Sequence, residues 1–481
     1  MKKYFIPLLI LAQLTVHAQQ WVQKQYAYNS FPNVVYGTSI GFNHDPVVLT
    51  MDIYEPVCDE PDASTAKPLL MWIHGGAFLY GSKEDPSITR LCKSFAERGY
   101  VTASINYRLG FVADDVAWSC NYPNYSCVFA VDTAEWYRAY YRGIQDAKGA
   151  LRYLINRHST YGIDTNNVFV AGESAGAFLA LGVALLDTSS ERMAQTYLQP
   201  SVPNPHSSTH SCEYNLNTTF SGNEVERPDL GGVEGDIEPT DIQFVIKGIG
   251  NNYGGMMTDL LKDIPAGKPR PAIYSFHQPC DLIVPIDRGR VFEGLSWCFT
   301  HGYGCSNIVN TPLVNGSRKI SEWNSSNNYG YDIHDEFTNV NFPYNFLIGT
   351  GSCLDQVNNP CHAYDAALLR EENLANFFAG LIGTHPFCTP VSSGTNDLNG
   401  QLADYFTIFP SPVKSNLHIK QFGKGAWQIA LFNTLGQSIY QGTSTQYQQL
   451  DIDMQSSASG VYYLFVNDQK GRIFSRPIVK I

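Results

Sequence analysis

The chain has 481 residues, of which 44% are hydrophobic, 13% aromatic and only 16% charged; this composition excludes a disordered chain. A length of this order predicts about three units, not one small domain. The net charge of −12, from 32 basic and 44 acidic side chains, argues against nucleic acid as a partner, because phosphate binding needs clustered basic charge. Met1-Lys2-Lys3, an apolar run from Phe5 to Leu14 and small residues at Val16 and Ala18 form the pattern of a signal peptide over residues 1–18, with Gln19 first in the mature chain. Beyond it the chain has no apolar run of about 20 residues, so no transmembrane span is expected.

From residue 19 to 390, strand-like runs alternate with helix-like ones. Leu69–Ile73 reads as a buried strand ending at His74-Gly-Gly-Ala-Phe78, followed by a helix over Ser87–Arg98 and a strand over Val101–Asn106. Apolar residues at helical spacing mark Ile144–His158. Asn167–Ala171 is a strand that runs directly into Gly172-Glu-Ser-Ala-Gly176 and a helix to Leu186. Further strands are expected at Phe244–Lys247, Ala272–Phe276 and Tyr344–Ile348, and a final helix at Asp365–Leu381. The alternation predicts an α/β fold, a mainly parallel sheet with helices on both faces.

Gly172-Glu-Ser-Ala-Gly176 is a G-x-S-x-G in its confirming context, between a strand and a helix, so Ser174 is the candidate nucleophile. The turn is so tight that a Cβ at either glycine would collide with backbone. His74–Phe78 supplies small residues through which backbone N–H groups can approach a developing oxyanion; Gly76 and Ala77, with Ala175, are the expected donors. In the chain order Ser, Asp, His, the acid follows the strand at 272–276 and the base follows one more strand. Asp281 in His277-Gln-Pro-Cys-Asp281 is the candidate acid and His362 in Pro360-Cys-His362 the candidate base. His277 is assigned a structural role, His334 a place in a solvated acidic loop before the last strand, and His385 a place near the end of the body.

With these residues in view, the body resembles the carboxylesterase/lipase branch of the α/β-hydrolase fold. Asn106-Tyr-Arg108, Gln145-Asp-Ala147 and Tyr161-Gly-Ile-Asp164 are similar to segments of type B carboxylesterases, and His277 to Pro285 resembles the acid turn of α/β hydrolases. The acid is Asp281 where type B enzymes commonly have Glu, and their opening segment is here Leu49-Thr-Met-Asp-Ile-Tyr54. The resemblance implies a serine esterase acting without metal or organic cofactor on a small-molecule or polymeric ester. A peptidase of the same fold and an inactive cholinesterase-like adhesion module are the alternatives. Two inserts are expected to shape the substrate site: an aromatic-rich one between Arg108 and Gln145, and a polar, loop-rich cap or lid over residues 187–241.

Eleven cysteines, all between residues 58 and 388, fit an oxidising compartment and a set of disulfides. Cys120/Cys127, Cys298/Cys305 and Cys353/Cys361 are spaced to close short loops; connectivity stays open, and the odd count leaves at least one thiol unpaired. After a linker at residues 391–401, residues 402–481 hold no Cys and no Glu. Their seven basic and four acidic residues give +3, against −17 for residues 19–401. This tail reads as short alternating strands of a small all-β sandwich. Phe409-Pro-Ser-Pro412, Leu431-Phe-Asn-Thr-Leu-Gly436, Ser459-Gly-Val-Tyr462 and Val479-Lys-Ile481 resemble the C-terminal sorting domains of the type IX secretion system. That resemblance implies passage through the periplasm and export across the outer membrane of a Bacteroidota-type Gram-negative bacterium, to the medium or the cell surface.

Overall fold

The computed structural model describes residues 21–481 except 59–65, 114–129, 205–219, 221, 263–266, 299–309, 339–355, 357–360, 365, 383–405, 410–411, 422–424, 434–436, 446–447 and 469–472. The expected signal peptide, the linker and the expected strand Tyr344–Ile348 lie outside the described residues. Two compact units make up the chain, Met1–Val391 and Ser392–Ile481.

The first unit is built on an eight-stranded sheet. Its strands are β1 (Tyr28–Ile40), β2 (Pro46–Pro56), β3 (Lys67–Ile73), β4 (Val101–Ile105), β5 (Ile163–Glu173), β6 (Ile246–Asn252), β7 (Ala272–Phe276) and β8 (Ile333–Glu336). Their order across the sheet is β1-β2-β4-β3-β5-β6-β7-β8. Strands β3 to β8 run parallel, whereas β2 lies antiparallel to β4 and β1 antiparallel to β2. Five helices are relevant to the site: α1 (Pro86–Ala96), α2 (Thr133–Asn156), α3 (Ala175–Leu185), α4 (Ser317–Ser326) and α5 (Ala367–Leu381).

Alternation along the strands sorts the core into two layers, because successive side chains of a strand point to opposite faces. Leu69, Met71 and Ile73 of β3 and Val168 and Val170 of β5 pack with Ile144 and Leu151 of α2 and Leu179 of α3. Leu70 and Trp72, with Phe169, pack on the other face with Leu91 and Phe95 of α1 and Leu374 and Phe378 of α5. Both faces are therefore covered, and the central strands are largely buried, with apolar stretches such as Leu69–Ile73 and Val168–Ala171, as expected of parallel strands covered on both sides. All five residues of β4 and of β7 are buried.

Several elements differ from the sequence reading, among them the helix expected at Ile144–His158, which begins already at Thr133 inside the first insert and ends at Asn156. The last described strand of the sheet is Ile333–Glu336, paired in parallel with β7, so His334 lies on a strand and not in a loop preceding one. Only four residues long and partly exposed, it lacks the apolar run by which the other parallel strands are recognised. Strand β6 begins and ends later than Phe244–Lys247; its buried part, Gly248–Asn252, carries a single large apolar residue, Ile249, between glycines and asparagines, so it shows no apolar run in the sequence.

Aromatic residues of the first insert that are described lie mostly in α2: Trp136, Tyr140 and Tyr141 are buried. The ring of Trp136 meets Phe111 and Phe78, and Phe78 meets Phe178 of α3. Trp118, Tyr122, Tyr125 and Phe129 lie outside the described residues. The second insert carries a two-stranded hairpin, Gln199–Pro203 with Glu224–Arg227. The stretch after the hairpin runs along α2, whose Arg138, Gln145 and Arg152 donate to the carbonyls of Pro228, Leu230 and Ile237.

In the second unit, β9 (Phe406–Phe409), β10 (Asn416–Gln421), β11 (Trp427–Asn433), β12 (Ser438–Ser444), β13 (Gln449–Asp453), β14 (Gly460–Asp468) and β15 (Ile473–Lys480) form two antiparallel sheets, β9-β10-β13 and β12-β11-β14-β15. Between them lies a separate core that includes Phe406, Leu417, Ile419, Trp427, Leu431 and Leu464.

Candidate active site

The parallel strands all end at one edge of the sheet, where the crevice of an open α/β sheet lies. The loop after β3 carries His74–Phe78, the turn after β5 carries Ser174, the loop after β7 carries Asp281, and the chain beyond β8 carries His362.

Ser174 occupies the N-cap of α3 with φ 52° and ψ −123°, a conformation that costs a non-glycine residue of order 1–3 kcal/mol. The flanking glycines make this turn sterically possible. A Cβ on Gly172 would overlap the backbone of Gly176, and one on Gly176 would overlap the carbonyls of Ile73 and His74. The elbow is pinned to β6, since Ser174 N–H donates to the Asn252 carbonyl at 3.0 Å and Asn252 Nδ2 donates to the Gly172 carbonyl at 3.1 Å.

His362 bridges the other two groups. Its Nδ1 lies 2.6 Å from Asp281 Oδ2 and its Nε2 lies 2.7 Å from Ser174 Oγ. A carboxylate only accepts, so the ring proton sits on Nδ1, leaving Nε2 to accept from the serine hydroxyl. The imidazole is also steered by Tyr253, whose ring meets it edge-on with centroids 4.8 Å apart.

Asp281 is fully buried, and its remaining lone pairs are occupied. Oδ1 accepts from the N–H groups of Ile283 and Val284 at 2.8 and 2.9 Å, and Oδ2 lies 3.2 Å from His277 Nε2. Burial by itself would raise its pKa; the charge of His362 and the hydrogen bonds from His277 and His362 outweigh this and hold it below the usual carboxylate value. His277 is itself buried between Ser317 Oγ at 2.9 Å and the Val284 carbonyl at 3.1 Å, so it props the acid loop. Neither ring nitrogen faces the nucleophile. His334 is exposed on β8 and stacks on Tyr274, and it takes no part in this chain of contacts. His385 lies outside the described residues.

The loop after β3 lies directly against the elbow: a Cβ on Gly75 would stand 3.2 Å from Ser174 Cβ. Its carbonyls are drawn to one side. His74 Nδ1 and Tyr107 Oη bind the Gly75 carbonyl at 2.7 and 3.4 Å, and the N–H groups of Leu79 and Tyr80 donate to the Gly76 carbonyl at 2.9 and 3.1 Å. In a trans peptide the following N–H points the opposite way, so those of Gly76 and Ala77 are turned from these partners. Positive φ at Gly76, Ala77 and Phe78, of 109°, 54° and 61°, makes this run of orientations possible. His74 is buried against Tyr107, and burial lowers its pKa to about 4, so it is neutral near pH 7 and serves the loop as a fixed donor. Ala175 opens α3, where the first N–H groups have no partner within the helix.

Sequence reasoning missed several supporting groups. Tyr253 carries no local motif, and Tyr107, though inside Asn106-Tyr-Arg108, was given no role there; the contacts of both appear only when the loops meet. Glu173, inside the elbow motif, is buried and bonded to Ser87 Oγ at 2.7 Å, and burial raises its pKa to about 7. A disulfide joins Cys280 to Cys361, the residues immediately preceding Asp281 and His362, so Cys361 does not pair with Cys353 as their spacing had suggested. The signal for this was present as the dipeptides Cys-Asp and Cys-His. Cys92 is free and buried.

Comparison with known proteins adds two family matches. The BD-FAE family model matches residues 51–119 and 129–220, which span β2 through the elbow and α3. The model for the secretion system C-terminal sorting domain matches residues 407–480. The chain thus carries a stretch that matches an esterase family model, followed by one that matches a sorting-domain model. Lipase 1 of Geotrichum candidum is 29% identical to this chain over 144 residues, which is 29% of this chain and 22% of the lipase. The probable N-octanoylanthranilate hydrolase AqdA2 of Rhodococcus erythropolis is 26% identical over 167 residues, 34% of this chain and 32% of that protein. The matched segments thus span only about a fifth to a third of these relatives' length. Among solved structures, a phosphonate-inhibited esterase B from Lactobacillus rhamnosis is 14% identical, with coverage of 78% of this chain and 93% of its own and a TM-score of 0.38. Among the described residues, no helix is long and apolar enough to cross a membrane.

Proposed function

We propose that this chain is a secreted serine carboxylesterase that cleaves carboxylic esters through an acyl-enzyme. Ser174 Oγ attacks the ester carbonyl while His362 Nε2 takes its proton. Asp281 holds the imidazole in the tautomer that leaves Nε2 free and stabilises the imidazolium that forms. The N–H groups of Gly76, Ala77 and Ala175 receive the oxyanion of the tetrahedral intermediate. His362 then gives its proton to the departing alkoxide, activates a water molecule, and the acyl group leaves as a carboxylic acid. The chemistry needs no metal or organic cofactor. The observation that carries this reading is the unbroken run of contacts from Asp281 Oδ2 through His362 to Ser174 Oγ, at 2.6 and 2.7 Å.

The tail extends the proposal to location. A sorting domain at residues 407–480 supports delivery by the type IX machinery, by way of the periplasm, to the medium or the cell surface. The substrate is a small-molecule or polymeric ester. Hydrolysis of p-nitrophenyl esters of increasing acyl length, beside feruloyl and acetylated-xylan substrates, tests the activity and ranks these classes. Ser174→Ala should lower kcat by several orders of magnitude with KM nearly unchanged. A variant that keeps most of its activity would overturn the assignment.

A further inference from the structure

The three groups of the site are mounted unequally. Ser174 sits on a rigid elbow between β5 and α3, tied to β6 through Asn252. Asp281 lies shortly after β7 and is fastened by two N–H groups of its own loop. His362 stands far beyond the end of β8 at Glu336 and ahead of α5, which begins at Ala367. Two residues beyond His362, Tyr364 stacks on Phe276 of β7 and meets Tyr253, which anchors that side of the base. Among the described residues the ring contacts of His362 are Asp281, Ser174 and Tyr253, two of which are the very groups it must align.

A covalent link stands at the point where an independent mount is needed. Cys280 and Cys361, 81 residues apart in sequence, are bonded with Cα atoms 5.8 Å apart. Each adjoins a reacting residue, so the Cα atoms of the acid and of the base are each one peptide unit, about 3.8 Å, from a cross-linked Cα. Cys361 is buried and held at φ 58°, a left-handed conformation that persists only where the surroundings impose it. A chain-entropy staple serves stability wherever it closes a loop; this one fixes the relative position of two loops at the atoms that share a proton.

Building on the esterase reading, we infer that the Cys280–Cys361 disulfide is a positioning device for catalysis, clamping the acid loop to the base loop so that His362 spans Asp281 and Ser174. A misplacement of about 1 Å costs of order 10²-fold in rate. Substrate-binding surfaces do not depend on the clamp, so its loss falls on kcat and spares KM.

The test uses the full chain as Cys280→Ser/Cys361→Ser, with p-nitrophenyl butyrate as substrate and rates expressed per active site titrated with a fluorophosphonate. The expected result is a kcat roughly 10- to 100-fold below wild type with KM within about twofold. The far-downfield proton resonance of the His362 Nδ1–H bonded to Asp281 should also be lost or broadened. A kcat per titrated site within twofold of wild type would overturn the inference, whether or not Tm falls, because the bond would then be a structural staple. Should the variant fail to fold, wild-type enzyme is reduced with graded dithiothreitol and the opened bonds are mapped by alkylation and mass spectrometry. Activity must then fall in step with opening of Cys280–Cys361, and activity that persists in molecules with this bond open overturns the inference equally. If wild-type and Ser174→Ala turn over the ester alike, the esterase reading fails and the clamp fails with it.

Discussion

Replacing Asp281 by asparagine exchanges one oxygen for an NH2 group with almost no change in volume, and the site dictates how the amide must lie. The N–H groups of Ile283 and Val284 at 2.8 and 2.9 Å require an acceptor, so the amide oxygen takes the place of Oδ1. The NH2 group then stands where Oδ2 stood, facing His362 Nδ1 across 2.6 Å. Turning the amide over would leave two buried N–H groups without an acceptor, at about 1–3 kcal/mol each, so the flip is opposed by roughly 2–6 kcal/mol. Because the NH2 group only donates, His362 must present a bare Nδ1 and carry its proton on Nε2. That proton points at Ser174 Oγ, and the general base is lost. The expected fall in kcat is about 10⁴-fold, equivalent to about 5.5 kcal/mol of transition-state stabilisation, with KM within about twofold. Steady-state hydrolysis of p-nitrophenyl butyrate measures it, and thermal unfolding checks that the variant remains folded. A variant retaining more than a tenth of wild-type kcat would refute the assignment of the acid.

His362→Ala should resemble Ser174→Ala in kcat, whereas His334→Ala should stay within about twofold of wild type, since exposed His334 packs only on the rings of Tyr274 and Phe377 among the described residues, away from Ser174; the same ester assay decides. Glu173 supplies a pH dependence of stability. Burial raises its carboxyl from 4.5 to about 7, so between these values the folded protein holds a proton that the unfolded chain releases, and stability falls as pH rises through that window. Relative to wild type, Glu173→Gln should therefore gain stability on the order of 3 kcal/mol between pH 4.5 and pH 8, read by urea unfolding at both; an unchanged difference would remove the carboxyl from the account. Ending the chain at Asp397 should leave ester hydrolysis and Tm near wild type, because the tail's core, including Trp427 and Leu464, draws on residues of the second unit alone. In a host with the type IX route the same truncation should strand active enzyme in the periplasm, which cell fractionation measures.

The fold was legible where chemistry is local. Leu69–Ile73, Val101–Ile105 and Ala272–Phe276 announce themselves as apolar runs because they are buried on both faces. The elbow announces itself through glycines that no other residue can replace. What escaped was set by long-range pairing. Strand β1 is largely exposed along its length, so its sequence shows little period, and Ile333–Glu336 becomes a strand only by lying beside β7. The same distinction holds at the site. The residues proposed for the triad, Ser174, Asp281 and His362, were picked out by their flanking residues and chain order. Tyr253 against the imidazole and the bond between Cys280 and Cys361 depend on contacts between loops distant in sequence, which no local pattern records, and the contact of Tyr107 with the Gly75 carbonyl is likewise invisible in the motif Asn106-Tyr-Arg108 that contains it.

The central claim is that Ser174 is a nucleophile activated by His362. The most direct measurement is reaction of the folded protein with a fluorophosphonate, followed by peptide mass spectrometry. The account predicts one covalent adduct per molecule, on Ser174 within the peptide containing Gly172-Glu-Ser-Ala-Gly176, and no adduct after His362→Ala on the same timescale. A wild-type protein that remains unlabelled, or one labelled at another residue with Ser174 untouched, would contradict it.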